Sequence, residues 1–297
     1  MPVSVGIMLP SRETAMTGLH DARGLIAFAR AAEDAGFDSV WVGGLTGRAD
    51  ACGAVVSPCR RRGGDDACGA GYRCVDRAAA ASSAGGGAGG DRRPALSWPT
   101  DPRAPLGASP PESRREFDAV GMPFSGRGAR LDKTVTLWRE TWNGQGEFAD
   151  ALPPARQGGP PVWLASGDAT KVIERGAATY DGWLPYLPDV NAYARAWDRI
   201  RAQAVREVAP ALYATVNLSG ARADDELDEY LRAYYSQPLD VMRYVQAIRG
   251  GSVAECLDWL ARYVEAGALH LILRIGSLTA GPESVAEQLL PALKEIG

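Results

Sequence analysis

From Thr46 to Ala95 the chain has no Leu, Ile, Phe, Met or Trp, and no Lys, Glu, Asn or Gln. Ala, Gly, Arg, Asp, Ser and Cys dominate, as in "ACGAVVSPCRRRGGDDACGAGYRCVDRAAAASSAGGGAGG". Such a segment has little apolar surface to bury, so burial cannot offset the entropy of ordering it. Any core must come from the two flanks. The stretch from Leu45 to Ala108 is expected to be mostly irregular, leaving strand edges exposed beside it.

The length of 297 residues fits one large α/β barrel or two smaller domains. A net charge of -4 points to neither nucleic acid nor an anionic membrane surface. No apolar run approaches the ~18 residues needed to cross a bilayer. "MPVSVGIMLPSRE" lacks the basic start and apolar core of a signal peptide, so a cytoplasmic protein is expected. Four of the five cysteines, Cys52, Cys59, Cys68 and Cys74, lie in the aberrant stretch. They form no Cys-x-x-Cys pair and have no nearby His, so no metal site is expected. Cys256 falls in a helical pattern and reads as a packed apolar residue.

The flanks alternate between two periodicities. "VSVGIMLP" reads as a buried strand. "DARGLIAFARAAEDAGF" places Leu25, Phe28, Ala29, Ala32 and Ala35 at helical spacing, with Asp21 as N-cap and Gly36 as the stop. "DSVWVGG" is a second strand, and together they make a βαβ unit with a parallel pair. Further on, "SGRGARLDKTVTLWRETW" is amphipathic through Leu131, Val135, Leu137 and Trp138. "PVWLASGD", "DGWLPYLP", "ALYATVNLSG" and "LHLILRIGS" read as strands, separated by helices. One of the helical stretches is broken at Pro238, and "SVAEQLLPALKEI" closes the chain as a helix. About six strands are visible, where a (β/α)8 barrel needs eight. A doubly wound open sheet is the alternative, but no G-x-G-x-x-G turn follows the first strand.

Several pieces, taken in order, resemble the luciferase-like monooxygenase family of flavin-dependent oxidoreductases. They are "VGIMLP", "ARAAEDAGFDSVWVG", "ESRREFDAVGMPFSGRGARLDKTVTLWRETW", "PPVWLASGD", "DGWLPYLP", "ALYATVN", "LRAYYSQPLDVMRYVQA" and "ARYVEAGALHLILRIGS". The resemblance implies one domain over residues 1–297, an α/β TIM barrel. Residues 1–43 would be its first βαβ unit and 109–297 its remainder, with residues 44–108 standing where strands 3 and 4 belong. It also implies reduced FMN with O2, or alternatively coenzyme F420. The implied partners are a small-molecule substrate, a separate flavin reductase and a second copy of the chain as homodimer.

Barrel active sites lie at the C-terminal ends of the strands. Ser166, Gly167, Asp168 and Ala169 join a strand to a helix start, where small residues and free N–H groups suit a phosphate. They resemble the family's flavin-phosphate loop, although an ordinary βα turn would look similar and Asp168 would have to face away. Arg274 ends the last strand, followed by Gly276 and Ser277. It either pairs with a phosphate or carboxylate or sits in a structural ion pair. Leu9 and Pro10 are expected as apolar pocket wall. Trp183 and Tyr186 either flank a ring or pack, and Asn217 either reaches the pocket or starts a turn. His20 is a weak acid–base candidate in the loop after the first strand. His270 opens its strand and so belongs at the bottom of the barrel. No residue is assigned as catalytic beyond that candidate.

The aberrant stretch has a coding explanation. Read one base out of register, Gly44 to Thr46 permits Asp-Ser-Leu, and Cys52 to Cys59 permits Ala-Glu-Pro-Leu-Ser-Leu-Leu-Ala. Asp65 to Cys68 permits Thr-Thr-Arg-Val, and Ala70 to Asp76 permits Leu-Gly-Thr-Gly-Val-Leu-Ile. These fragments resemble what the family carries there, which implies a reading-frame slip at about Gly44, corrected near Ser109, and an inactive member as a competing reading. Sequencing the gene at both points should reveal compensating insertions or deletions relative to family genes; an encoding without them would contradict the slip.

Overall fold

The computed structural model describes residues 3–16, 22–42, 55–56, 73–75, 117–118, 121–146 and 159–296. The first unit is β1 (Ser4–Met8), α1 (Ser11–Met16), α2 (Ala22–Asp34) and β2 (Ser39–Trp41). Then come β3 (Val55–Val56), β4 (Arg73–Val75) and α3 (Arg127–Trp142). The next alternation is β5 (Val162–Ala165), α4 (Thr170–Thr179), β6 (Gly182–Leu184), α5 (Val190–Gln203) and β7 (Ala209–Asn217). After β7 a 3-10 turn leads into α6 (Ala223–Tyr235) and α7 (Leu239–Met242), followed by β8 (Ile248–Gly250) and α8 (Val253–Glu265). The chain closes with β9 (His270–Ile275), α9 (Pro282–Gln288) and α10 (Leu290–Glu295).

The strands lie in the order β3-β2-β1-β9-β7-β6-β5-β4, with β8 also paired to β7. Every described pairing is parallel except β2 with β3. Side chains alternate across this sheet. Val5, Ile7, Leu212, Ala214, Leu271 and Leu273 face outward into one core with the helices. Met8, Trp41, Trp163, Leu184, Ala211 and Ile272 face inward into a second. Burial on both faces explains the near-continuous apolar runs that marked these strands in the sequence.

The inner cluster shows that the sheet is rolled. β2 and β5 stand five strand steps apart, about 24 Å along the sheet. Yet the rings of Trp41 and Trp163 meet with centroids 5.4 Å apart. Two glycines make room for them. A Cβ on Gly6 would lie 2.7 Å from the Trp41 indole nitrogen, and one on Gly182 would lie 2.5 Å from the Trp163 ring. The Trp41 nitrogen is satisfied by the Ser39 hydroxyl at 2.9 Å. Trp163 also meets His270 edge-on at 4.9 Å. Burial holds His270 below the ordinary histidine pKa, with Asp38 pulling the other way. It fills the base of the barrel, as its place at the start of β9 led us to expect.

A repeated device fastens the bottom of the barrel. Asp38, just before β2, accepts from the Val5 amide at 2.9 Å. Asp181, just before β6, accepts from the Val162 amide at 2.8 Å. Each also donates its own amide to the carbonyl of that same valine. Asp181 further binds Arg139 of α3 at 2.8 Å, tying α3 to the β5–β6 edge. The echo between "GFDSVW" and "TYDGWL" is the sequence trace of this device.

Four expectations change. Within the Leu45–Ala108 stretch the described residues form β3 and β4, which pair with β2 and β5. Those edges are therefore covered rather than exposed at these points. Pairing needs only backbone groups, which a stretch poor in side chains still supplies. The helical stretch around Pro238 ends in β8, too short to show a pattern. Leu137 is exposed, leaving Leu131 and Val135 as the buried face of α3. The closing helix is two, parted at Leu289 ahead of Pro291, which lacks an amide hydrogen. Asp21, and the side chains of Cys52, Cys59, Cys68 and Cys74, lie outside the described residues. Gly36 does stop α2, at φ +91°.

Trp163→Ala should cost about 3–5 kcal/mol, the usual range for emptying a large aromatic site. Urea denaturation of the purified chain measures it, and an unchanged midpoint would contradict the inward packing.

Candidate active site at the C-terminal ends of the strands

The turn after β5 leads directly into α4. Ser166 is 5% exposed, and its hydroxyl has no hydrogen-bond partner. Gly167 has open space where a Cβ would stand. Ala169 occupies the N-cap of α4 without a side-chain hydrogen bond. Asp168, half-buried in the turn, therefore does not cap the helix. The first N–H groups of α4 are left to a ligand or water. Arg199 of α5 donates to the Thr170 hydroxyl at 3.0 Å, adding positive charge beside the same helix end. A buried hydroxyl donor, a helix N-terminus and a nearby guanidinium together favour an anion.

Arg274 stands three strands away. Its Nη1 donates to the Tyr235 hydroxyl at 2.7 Å and its Nη2 to the Tyr234 hydroxyl at 3.0 Å. The guanidinium also lies over the rings of Tyr234 and Tyr213, at 4.2 and 5.0 Å. Burial disfavours its charge, but the surrounding tyrosine oxygens outweigh that and hold its pKa well above the ordinary value. It makes no ion pair among the described residues, so the structural ion-pair reading of this residue is not what the structure has.

α6 is fastened over this end of the barrel from several sides. Tyr230 donates to the Glu13 carboxylate of α1. Asn217 donates to Glu226 at 3.1 Å and to the Gly276 carbonyl at 3.0 Å, while its own oxygen accepts from the Ser219 amide. Hydrogen bonds from Ser219 and Asn217 hold the Glu226 carboxyl below its ordinary pKa. Leu227 sits where a Cβ on Gly276 would collide, at 2.4 Å.

The structure thus sorts the sequence candidates. Ser166 through Ala169 form the turn into α4, with the unpartnered Ser166 hydroxyl beside the free helix N-terminus. Tyr186 faces the barrel interior. Trp183 and Leu9 do not, because strand alternation turns both to the helix side, where Trp183 packs on Tyr193 at 5.2 Å. Pro10 is half-buried between β1 and α1. Asn217 serves as a strut and turn former. Gly276 admits α6. Ser277 accepts from the Thr279 and Ala280 amides, closing a local turn. His20 lies outside the described residues. Cys256 is buried, its thiol pushed up to about 11 by desolvation, as a packed residue should be. Among the described residues no cluster of His, Cys, Asp and Glu is placed to hold a metal. No described helix is long and apolar enough to cross a membrane.

The sequence reading missed the tyrosines of α6, Glu13 and Thr215. The signal was present in "DEYLRAYY", where Tyr230 and Tyr234 recur at i,i+4 and so share a helix face.

A family model described as luciferase-like monooxygenase matches residues 99–297. The chain belongs to the luciferase-like monooxygenase family. That makes it a member of a family of oxidoreductases and monooxygenases. No curated protein matches the sequence. Among solved structures, it is similar to an F420-dependent secondary alcohol dehydrogenase in complex with an F420–acetone adduct. The TM-score is 0.58 and the identity 13%, with 99% of each chain covered. It is also similar to DmoA from Hyphomicrobium sulfonivorans, with TM-score 0.60 and 12% identity, covering 99% of this chain and 88% of that one. A third is riboflavin lyase with modified FMN and riboflavin, at TM-score 0.54 and 15% identity, covering 99% and 92%. At such identities the likeness is one of fold, and it agrees with a luciferase-like barrel.

Proposed function

We propose that the chain is a flavin-dependent monooxygenase or oxidoreductase that uses reduced FMN and O2 on a small organic substrate. The single observation that carries the cofactor assignment is the buried, unpartnered Ser166 hydroxyl at the N-terminus of α4. A buried hydroxyl without a partner costs about 1–3 kcal/mol, and a phosphate oxygen would remove that cost. Gly167 leaves room for such a group. Ser166 would donate to the phosphate, the α4 amides would complete its shell, and Arg199 would offset its charge. When bound, reduced flavin would supply the electrons for reducing O2. The residues of this chain would orient it, and the filled inner face formed by Met8, Trp41, Leu184 and Ile272 would exclude water from the barrel interior. A separate flavin reductase would supply the reduced cofactor.

F420-dependent hydride transfer is the second reading. It is favoured by the likeness to the F420-dependent alcohol dehydrogenase over 99% of both chains. Anaerobic titration of the full chain with reduced FMN, and separately with F420, tests both readings. Saturable binding of reduced FMN is expected, weakened about tenfold by Ser166→Ala, since about 1.4 kcal/mol corresponds to tenfold. Saturation by F420 alone would favour the second reading. Binding of neither would overturn both and support a chain that has lost its cofactor site.

A further inference from the structure

Nine arginines between Arg139 and Arg262 each lie within 3.7 Å of a carboxylate. All have some contact with solvent; the least exposed, Arg175, has 23% of its side chain accessible. Arg274 reverses this pattern. It is 6% exposed and has no carboxylate partner among the described residues. Removing a charge from water costs several kcal/mol unless an opposite charge or full hydrogen bonding replaces the solvent. Of the five N–H donors of a guanidinium, two are used on the Tyr234 and Tyr235 hydroxyls. The Nε donor is buried without a partner. Glu13 of α1 accepts from Tyr230, whose ring stacks on Tyr234 at 5.5 Å.

Thr215 is the direct neighbour of Arg274 across the parallel pair β7–β9. It is 1% exposed and its hydroxyl also lacks a partner. A cation and a hydroxyl thus stand side by side at the catalytic end of the barrel with unused hydrogen-bonding capacity, walled by the Tyr213, Tyr234 and Tyr235 rings.

We propose that Arg274 and Thr215 form a subsite for the carboxylate of a small organic acid, the substrate of the oxidoreductase site on whose reading this inference rests. The Ser166 turn ends a different strand, three places away in the sheet; a cofactor phosphate held there would leave Arg274 and Thr215 for another anion. A single cation among neutral phenols suits a monoanion. A phosphate dianion would keep one charge uncompensated in the same low-dielectric surroundings. The tyrosine rings favour an acid with an apolar or aromatic body. This changes the role of Arg274 from a cofactor ligand to a determinant of substrate specificity.

Calorimetric titration of the full chain with acetate, butyrate and benzoate, with and without reduced FMN, tests the subsite. Benzamide is the neutral counterpart of benzoate. At least one carboxylate should saturate, and benzoate should bind at least tenfold more tightly than benzamide. Thr215→Val, which preserves shape, should weaken the tightest carboxylate severalfold, and Arg274→Met should abolish its binding. Circular dichroism reports whether Arg274→Met folds; if it does not, Thr215→Val decides. The proposal is overturned if no carboxylate saturates, if benzamide matches benzoate, or if Thr215→Val binds as the parent does. Carboxylate binding by a chain that takes neither cofactor would uphold the subsite while overturning the cofactor reading. Cofactor binding without carboxylate binding would do the reverse.

Discussion

The contact between Trp41 and Trp163 brings together two strands that are five steps apart in the sheet. Without it, the parallel strands need only form an open, twisted layer with helices on one face. With it, the sheet is rolled, its inner side chains form a second core, and its strand ends converge on one mouth. The glycines at positions 6 and 182 are conditions of that contact, since a methyl group at either would press into an indole. His270 completes the plug from β9. This arrangement matters especially here because the stretch from Thr46 to Ala95 brings so little apolar surface of its own. Large side chains on the longer strands hold the interior together where β3 and β4 are only two and three residues long.

Function depends on this closure through the two polar clusters it places at the mouth. The Ser166 turn ends β5 and the Arg274 cage ends β9. Their separation is fixed by the strands between them rather than by loops. α6 is held over the Arg274 side by Glu13, Asn217, Gly276 and Arg274 itself, which makes it a fixed wall of the site. On the proposed reading, the Ser166 turn would hold the cofactor phosphate and Arg274 the carboxylate of a substrate laid across the same opening.

Most of the barrel was legible in the sequence because its strands and helices are long or apolar enough to leave a period. The βαβ unit around Gly36, the Ser166 turn and the outward packing of Cys256 follow from local pattern. What escaped the sequence was set by alternation at strand ends and by contacts distant in sequence. Leu9 and Trp183 look like pocket residues in the chain, but their places in the pleat turn them to the helices. Tyr234 and Tyr235 carry no signal of a polar role until α6 is seen folded back onto Arg274, 40 and 39 positions away. β8 is three residues long and carries no period to read. β3 and β4 form through backbone pairing, which side-chain pattern does not report.

A double-mutant cycle between Trp41 and Trp163 tests the rolled sheet most directly. Trp41→Phe, Trp163→Phe and the double variant would be compared by urea denaturation. If the two rings meet inside the barrel, the cycle should give a coupling energy of about 0.5–1.5 kcal/mol, the usual worth of an aromatic pair in contact. Strictly additive effects would mean that the two strands do not face one another, and the barrel account would be contradicted.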